Sequence, residues 1–225
     1  PNAQQIATAL EELKTQLNNI TSQQQILLDE TSHWQDSGTS SLTPAQMARE
    51  QLQLADQTKS AREQLPLPKA FEFGMASVEP IMHEAAKQLE LEPPNARVHR
   101  LQSRSLLRLQ QLLAALNSQA ARQDGAAENE GTPNGGDDSN AKPSPDQQPS
   151  LSLEELRLLY AMQMDIYERT LTLEKRRLEG AELRDEDQQE LQRLATEQGE
   201  LAKLLAEALP PSENREPSEP ASDRQ

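Results

Sequence analysis

Apolar residues in the first part of the chain recur at alternating intervals of four and three residues. The first series consists of Ile6, Leu10, Leu13, Leu17, Ile20, Leu27 and Trp34, with polar Gln24 and Thr31 in the two intervening places. This spacing predicts one helix of about 30 residues whose apolar seam packs against other helices. The partner helices belong either to a second chain, as in a coiled coil, or to an antiparallel bundle within the same chain.

The stretch LTPAQM predicts the start of a second helix. Thr43 suits the N-cap, Pro44 suits the first helical position, and Gln46 completes a capping box. The helix should end at LPLP, residues 65–68, because proline cannot continue a helix. With Gly38 marking a turn before it, the second helix forms a hairpin with the first.

Two further helical segments follow within residues 1–122. Phe71, Val78, Met82 and Leu89 lie on one face of the third segment, and Pro80 interrupts it, which predicts a kink or two short helices. The dipeptide Pro93-Pro94 ends this segment, and the fourth runs to about residue 121. We therefore expect residues 1–122 to form an elongated helical bundle or coiled coil of about four helices.

Composition changes sharply after the fourth segment. Residues 123–150 contain no Leu, Ile, Val or aromatic residue, which predicts a disordered acidic linker. Ser152 and Glu155 then form a second capping box, and residues 151–209 are expected to form a helical hairpin that Pro210 ends, followed by a disordered tail over 210–225. The predicted fold class is all-α, with few aromatic residues and no strand-forming runs.

The first helix of this C-terminal hairpin is unusually apolar. The candidate protein-binding residues on it are Leu156, Leu159, Tyr160, Met162, Ile166 and Tyr167. A helix this apolar is either the most buried member of a bundle or a surface that accepts a helix of another protein. Both interpretations remain open at the level of sequence.

Charge is unevenly distributed along the chain. The formal net charge is −15, which opposes general attraction to nucleic acid or anionic lipid. The fourth segment is the exception, because residues 93–123 contain no acid and carry a stripe of arginines at intervals of three, four and four residues. These are Arg97, Arg100, Arg104 and Arg108. The stripe binds either an anionic polymer or the acidic helices or acidic linker of the same chain.

No pattern typical of a catalytic, metal or cofactor site occurs. His83 and Glu84 begin like the helical motif of zinc peptidases, but Lys87 stands where the second histidine ligand would be. The chain has no cysteine, no glycine-rich phosphate loop, no nucleophile elbow and no apolar run long enough to cross a membrane. We expect no enzymatic activity, no cofactor and no small-molecule ligand.

Two stretches, EELRLLYAMQMDIYERTLTLE and RDEDQQELQRLATEQGELAKLLAEAL, resemble a type of helical protein rich in Gln, Glu and Arg from planctomycete-like bacteria. The stretch SVEPIMHEAAKQLE is also similar to that type. Proteins of this type have no assigned activity and often carry an export signal. The resemblance implies an exported or periplasmic protein, as does a first residue other than Met.

The sequence thus predicts a non-catalytic scaffold or adaptor that acts through its helical seams. It would associate with itself or with another helical protein. The alternative is a binder of anionic polymers, such as nucleic acid or a cell-surface polymer, through the arginine stripe.

Overall fold

The chain folds into six helices and no strand over the residues that the computed structural model describes, which are 2–127, 151–179 and 184–208. In chain order the helices are α1 (Ala3–Ser37), α2 (Pro44–Gln64), α3 (Lys69–Leu91), α4 (Ala96–Ala127), α5 (Leu153–Leu178) and α6 (Asp185–Ala208). The all-α prediction is confirmed.

Local signals fix where the helices begin. The Thr43 side chain accepts a hydrogen bond from the backbone N–H of Gln46 at the start of α2, and Ser152 accepts one from Glu155 at the start of α5. Both capping boxes are complete, as the sequence predicts. Gly38, at φ 72°, ends α1 and donates its N–H to the carbonyl of Trp34 at 2.8 Å.

Two helix bounds differ from the expectation. The helix α3 runs without interruption from Lys69 to Leu91, so the prediction of two short helices is wrong. Pro80 removes one helical hydrogen bond, but Val78, Ile81 and Met82 are buried on both sides of it, and this packing maintains the helix. The helix α4 continues past the predicted end near residue 121 to Ala127. Residues 128–150 of the predicted linker and residues 209–225 lie outside the described residues.

The two predicted helical parts share one core. The helices α1 to α4 pack on one another, α5 packs on α3 and α4, and α6 packs on α5 and α3. Fully buried members of this core come from five helices: Leu13, Leu17, Met47, Leu54, Phe71, Met75, Met82, Leu109, Leu112, Leu158 and Leu159. Each such side chain contributes about 1.5–3 kcal/mol through removal from water.

A polar chain of three glutamines crosses the interior. Gln51 donates to Gln24 at 2.7 Å and receives a hydrogen bond from Gln102 at 3.1 Å, which links α2 to α1 and α4. All three side chains are fully buried. Because alternative alignments of the helices would leave these amides unpaired, the chain favours one register of α1, α2 and α4.

Candidate functional site

The helix α5 has apolar side chains on two opposite faces. Its inner face is buried against α3, α4 and α6 and consists of Leu158, Leu159, Met162, Ile166 and Leu173. These positions follow one another at helical spacing and lie within one side of the helix. The inner face explains how α5 is held on the bundle.

The opposite face of α5 is also apolar and is open to solvent. We call it the outer stripe. It consists of the exposed Leu153, Leu156, Tyr160, Tyr167, Leu171 and Leu178 and the half-buried Met164. At 100° per residue these side chains fall within an arc of about 80°, and the stripe is about 37 Å long. The exposed fractions of Tyr160 and Tyr167 are 67% and 52%.

The six candidate residues on this helix do not form one face. Leu159, Met162 and Ile166 lie in the core, whereas Leu156, Tyr160 and Tyr167 lie on the outer stripe. The stripe also contains Leu153, Leu171 and Leu178, which were not predicted from the sequence. The overlooked signal is two interleaved series at intervals of seven, one through Leu153, Tyr160 and Tyr167 and one through Met164, Leu171 and Leu178.

Three arginines of the stripe on α4 pair with carboxylates of the same chain. Arg97 donates to Glu84 of α3 at 2.8 Å, and Arg108 donates to Asp165 of α5 at 2.8 Å. Arg104 reaches Glu190 and Glu197 of α6 at 3.1 and 2.7 Å. Arg100 is exposed and has no ion-pair partner among the described residues. The acidic helices of the chain itself thus neutralise most of the stripe.

Arg104 and Arg108 belong to a cluster of six charged side chains that joins α4, α5 and α6. Its other members are Arg169, Asp165, Glu190 and Glu197. Arg169 donates to Asp165 of its own helix at 3.2 Å and to Glu197 of α6 at 2.9 Å. Fork-shaped guanidinium donors between carboxylates give directional bonds, so the cluster fixes the position of α6.

Burial alters the acidity of the three guanidinium groups. It lowers the pKa of Arg108, although the carboxylates of Asp165 and Glu197 oppose this effect. It also lowers the pKa of Arg104. Burial acts in the same direction on Arg169, but Glu197 and Glu190 together outweigh it and its pKa is raised. All three remain charged at neutral pH because an arginine loses its proton only far above that range.

A cavity of about 380 Å³ lies beside the cluster, between α4, α5 and α6. Its charged lining consists of Arg97, Arg100, Arg104, Arg169, Arg176, Arg193, Asp165, Asp187 and Glu190. Arg176 pairs with Asp187 at 3.1 Å, and Arg193 lies 3.9 Å from Glu84. Most of the charged lining is thus engaged in ion pairs within and between α3, α4, α5 and α6.

Groups of metal ligands and membrane-spanning helices are absent from residues 2–127, 151–179 and 184–208. No group of three or more His, Cys, Asp or Glu side chains within these ranges is placed to hold a metal ion. His83 lies 4.0 Å from Glu79 and faces solvent in part. No helix in the described part of the chain is long and apolar enough to cross a membrane.

Comparisons with protein-family models, with curated proteins and with solved structures found no match to this chain.

Proposed function

We propose that the protein is a non-catalytic scaffold or adaptor that binds a helical protein through the outer stripe of α5. One observation carries the proposal: a helix that already buries one apolar face presents a second on its opposite side. A helix that only docks on a bundle has one apolar face and a polar face toward solvent. The exposed second face is therefore expected to be covered by a binding partner.

The spacing of the stripe favours a helix as that partner. Its side chains follow one another at intervals of three or four residues along α5, except for a step of seven from Leu171 to Leu178. Such ridges interdigitate with the ridges of another helix, and recognition of a helix by regularly spaced anchors is a recurrent mode of protein binding. Tyr160 and Tyr167 are suited to an interface, since each combines a large apolar ring with a polar hydroxyl group.

The stripe is held in place before any partner arrives. The inner face of α5 is buried in the core, and Asp165 and Arg169 tie the helix to α4 and α6. A rigid surface loses less conformational entropy on binding than a mobile one. The ion cluster thus supports the proposed interaction by fixing the helix that carries the stripe.

The alternative, an anionic polymer on the arginine stripe, has less support. Arg104 and Arg108 are mostly buried and bonded to carboxylates of α5 and α6. A polymer would have to displace these carboxylates, displace Glu84 from Arg97, or rely on Arg100 alone. The negative net charge of the chain would oppose its approach.

Site-specific photo-crosslinking tests the proposed function. A photoreactive phenylalanine derivative replaces Tyr160 in one variant and Ile26, an exposed apolar residue on α1, in a matched control. Irradiation in the cells that make the protein should give one discrete covalent adduct from position 160 and none from position 26. The adduct is identified by mass spectrometry and should disappear when Tyr167→Glu is added.

The same variants define the contrary result. The absence of any discrete adduct from position 160, or identical adducts from both positions, would contradict the proposed function. Circular dichroism should show unchanged helix content for Tyr167→Glu, because the side chain is exposed and its replacement leaves the core intact.

A further inference from the structure

We propose that the partner of the outer stripe is a second copy of this chain, paired through α5 in antiparallel orientation. This inference rests on the proposed function and adds the identity of the partner and the alignment of the two helices. It follows from the order of apolar and charged residues along α5, which is complementary to its own reverse.

The alignment is fixed by overlapping the two copies of α5 over their whole length. Each residue then faces the residue of the second copy whose number adds with its own to about 331, the sum of the helix bounds Leu153 and Leu178. The heptad positions that face the partner helix then fall opposite one another. The three apolar layers are Leu153 with Leu178, Tyr160 with Leu171, and Met164 with Tyr167, each occurring twice by symmetry.

The one polar layer joins opposite charges. Arg157 of one copy faces Glu174 of the second copy, and the two-fold axis repeats the pair. Arg157 is exposed and has no ion-pair partner among the described residues. Glu174 accepts a hydrogen bond from Arg177 at 2.6 Å, and its side chain is 45% exposed, so the carboxylate is accessible to a second cation.

The ends of the helix are complementary in the same sense. The first turn of α5 carries the buried Glu154 and the half-buried Glu155, and its last turn carries Lys175, Arg177 and Arg176, the last of which pairs with Asp187. Antiparallel overlap brings the acidic end of each copy to the basic end of the other and also aligns the two helix dipoles favourably. Along one edge Gln163 meets Thr170 of the second copy, which adds no charge.

A parallel pair would lose this complementarity. Arg157 would face Arg157 of the second copy, and Glu174 would face its own equivalent, so two layers would bring like charges together. Like-charge contacts across an interface select against the wrong arrangement. The sequence of α5 therefore selects the antiparallel pair.

Charge-reversal variants test the pairing of Arg157 with Glu174 of the second copy. The dimer dissociation constant would be obtained by light scattering or sedimentation for Arg157→Glu, Glu174→Arg and the double variant. Each single variant should weaken the dimer about tenfold or more, and the double variant should restore it, because the opposite charges face each other again. Arg49→Glu, at an exposed position on α2, is the control with the same change of net charge as Arg157→Glu.

Cysteine pairing tests the alignment independently, since the natural chain has no cysteine. Variants Tyr160→Cys and Leu171→Cys should form a disulfide-linked dimer when mixed and oxidised. Neither should link to itself efficiently, because equivalent positions in the antiparallel pair lie about 16 Å apart along the axis. Self-linked dimers of either single variant, at the yield of the mixture, would overturn the antiparallel arrangement.

The outcomes separate this inference from the proposed function. A monomeric protein whose position 160 crosslinks to a different protein would overturn the self-pairing and leave the proposed function intact. A dimer that is equally stable in wild type, Arg157→Glu and Arg49→Glu would also overturn the proposed alignment. Weakening by both single variants with recovery in the double variant is the result that supports it.

Discussion

At the scale of single residues, Arg108 shows why the arginine stripe is largely structural. Its relative exposure is 2%, and its guanidinium lies 2.8 Å from Asp165. An unpaired buried charge would be costly, so the residue can stay there only with its carboxylate partners. Its place in the fold therefore depends on α5.

Replacing Arg108 should be far more damaging than replacing its exposed neighbour in the stripe. Arg108→Ala leaves Asp165 with one fewer cation and should lower the free energy of unfolding by about 3 kcal/mol. Arg100→Ala should change it by less than about 0.5 kcal/mol. Urea denaturation of both variants measures the difference. Equal small effects would mean that the buried pair contributes little.

The spacing of residues in the sequence identified the arginine stripe but not the carboxylates that pair with it. The interval between Arg97, Arg100, Arg104 and Arg108 follows from helix geometry, whereas Glu190 and Glu197 lie more than eighty residues further along the chain. Such pairs depend on how separate helices dock. Local periodicity contains no information about that docking.

At the scale of helices, local chemistry determined the starts and tertiary packing determined much of the rest. The caps at Thr43 and Ser152 were predictable because each uses residues within four positions of the helix start. The uninterrupted course of α3 through Pro80 was not, because burial of its neighbours outweighs the missing hydrogen bond. The sequence-based prediction likewise treated the two apolar faces of α5 as one surface. The pattern of apolar residues alone does not show which of them are covered by other helices.

The buried glutamines provide a test of how the bundle helices are aligned. Gln51→Leu would leave both Gln24 and Gln102 without their partner on α2. The free energy of unfolding should fall by about 2 kcal/mol, since buried amides would lose hydrogen bonds. Gln53→Leu, on the exposed side of the same helix, is the matched control. Similar urea midpoints for the two variants would show that the glutamine chain is not important for stability.

Gly199 within α6 should lower the stability of the protein, and no close contact requires a glycine at this position. A Cβ atom at Gly199 would meet no atom within 4 Å, so Gly199→Ala should fit without strain. The substitution should raise the free energy of unfolding by about 0.5–1 kcal/mol, because alanine loses less backbone entropy in a helix. Gly38→Ala should instead lower stability, since φ at this position is 72°. A melting temperature of Gly199→Ala below that of the wild type would contradict this prediction. It would indicate that the added methyl group disturbs a contact of α6.

At the scale of the whole molecule, the six helices form a single core that leaves one long apolar face uncovered in the described part of the chain. The outer stripe on α5 lies opposite the side by which this helix joins the bundle. The chain is strongly acidic, which opposes association in general, so any pairing must rely on a locally complementary surface. The order of residues along α5 provides such a surface for a second copy.

The absolute mass in solution tests this claim most directly. Light scattering coupled to size exclusion should give twice the chain mass of 25.1 kDa for the wild-type protein. The double variant Tyr160→Glu/Tyr167→Glu should give the single-chain mass with unchanged helix content, because its charges disrupt the stripe and spare the core. A wild-type protein that remains at 25.1 kDa up to about 100 µM would contradict the pairing of α5.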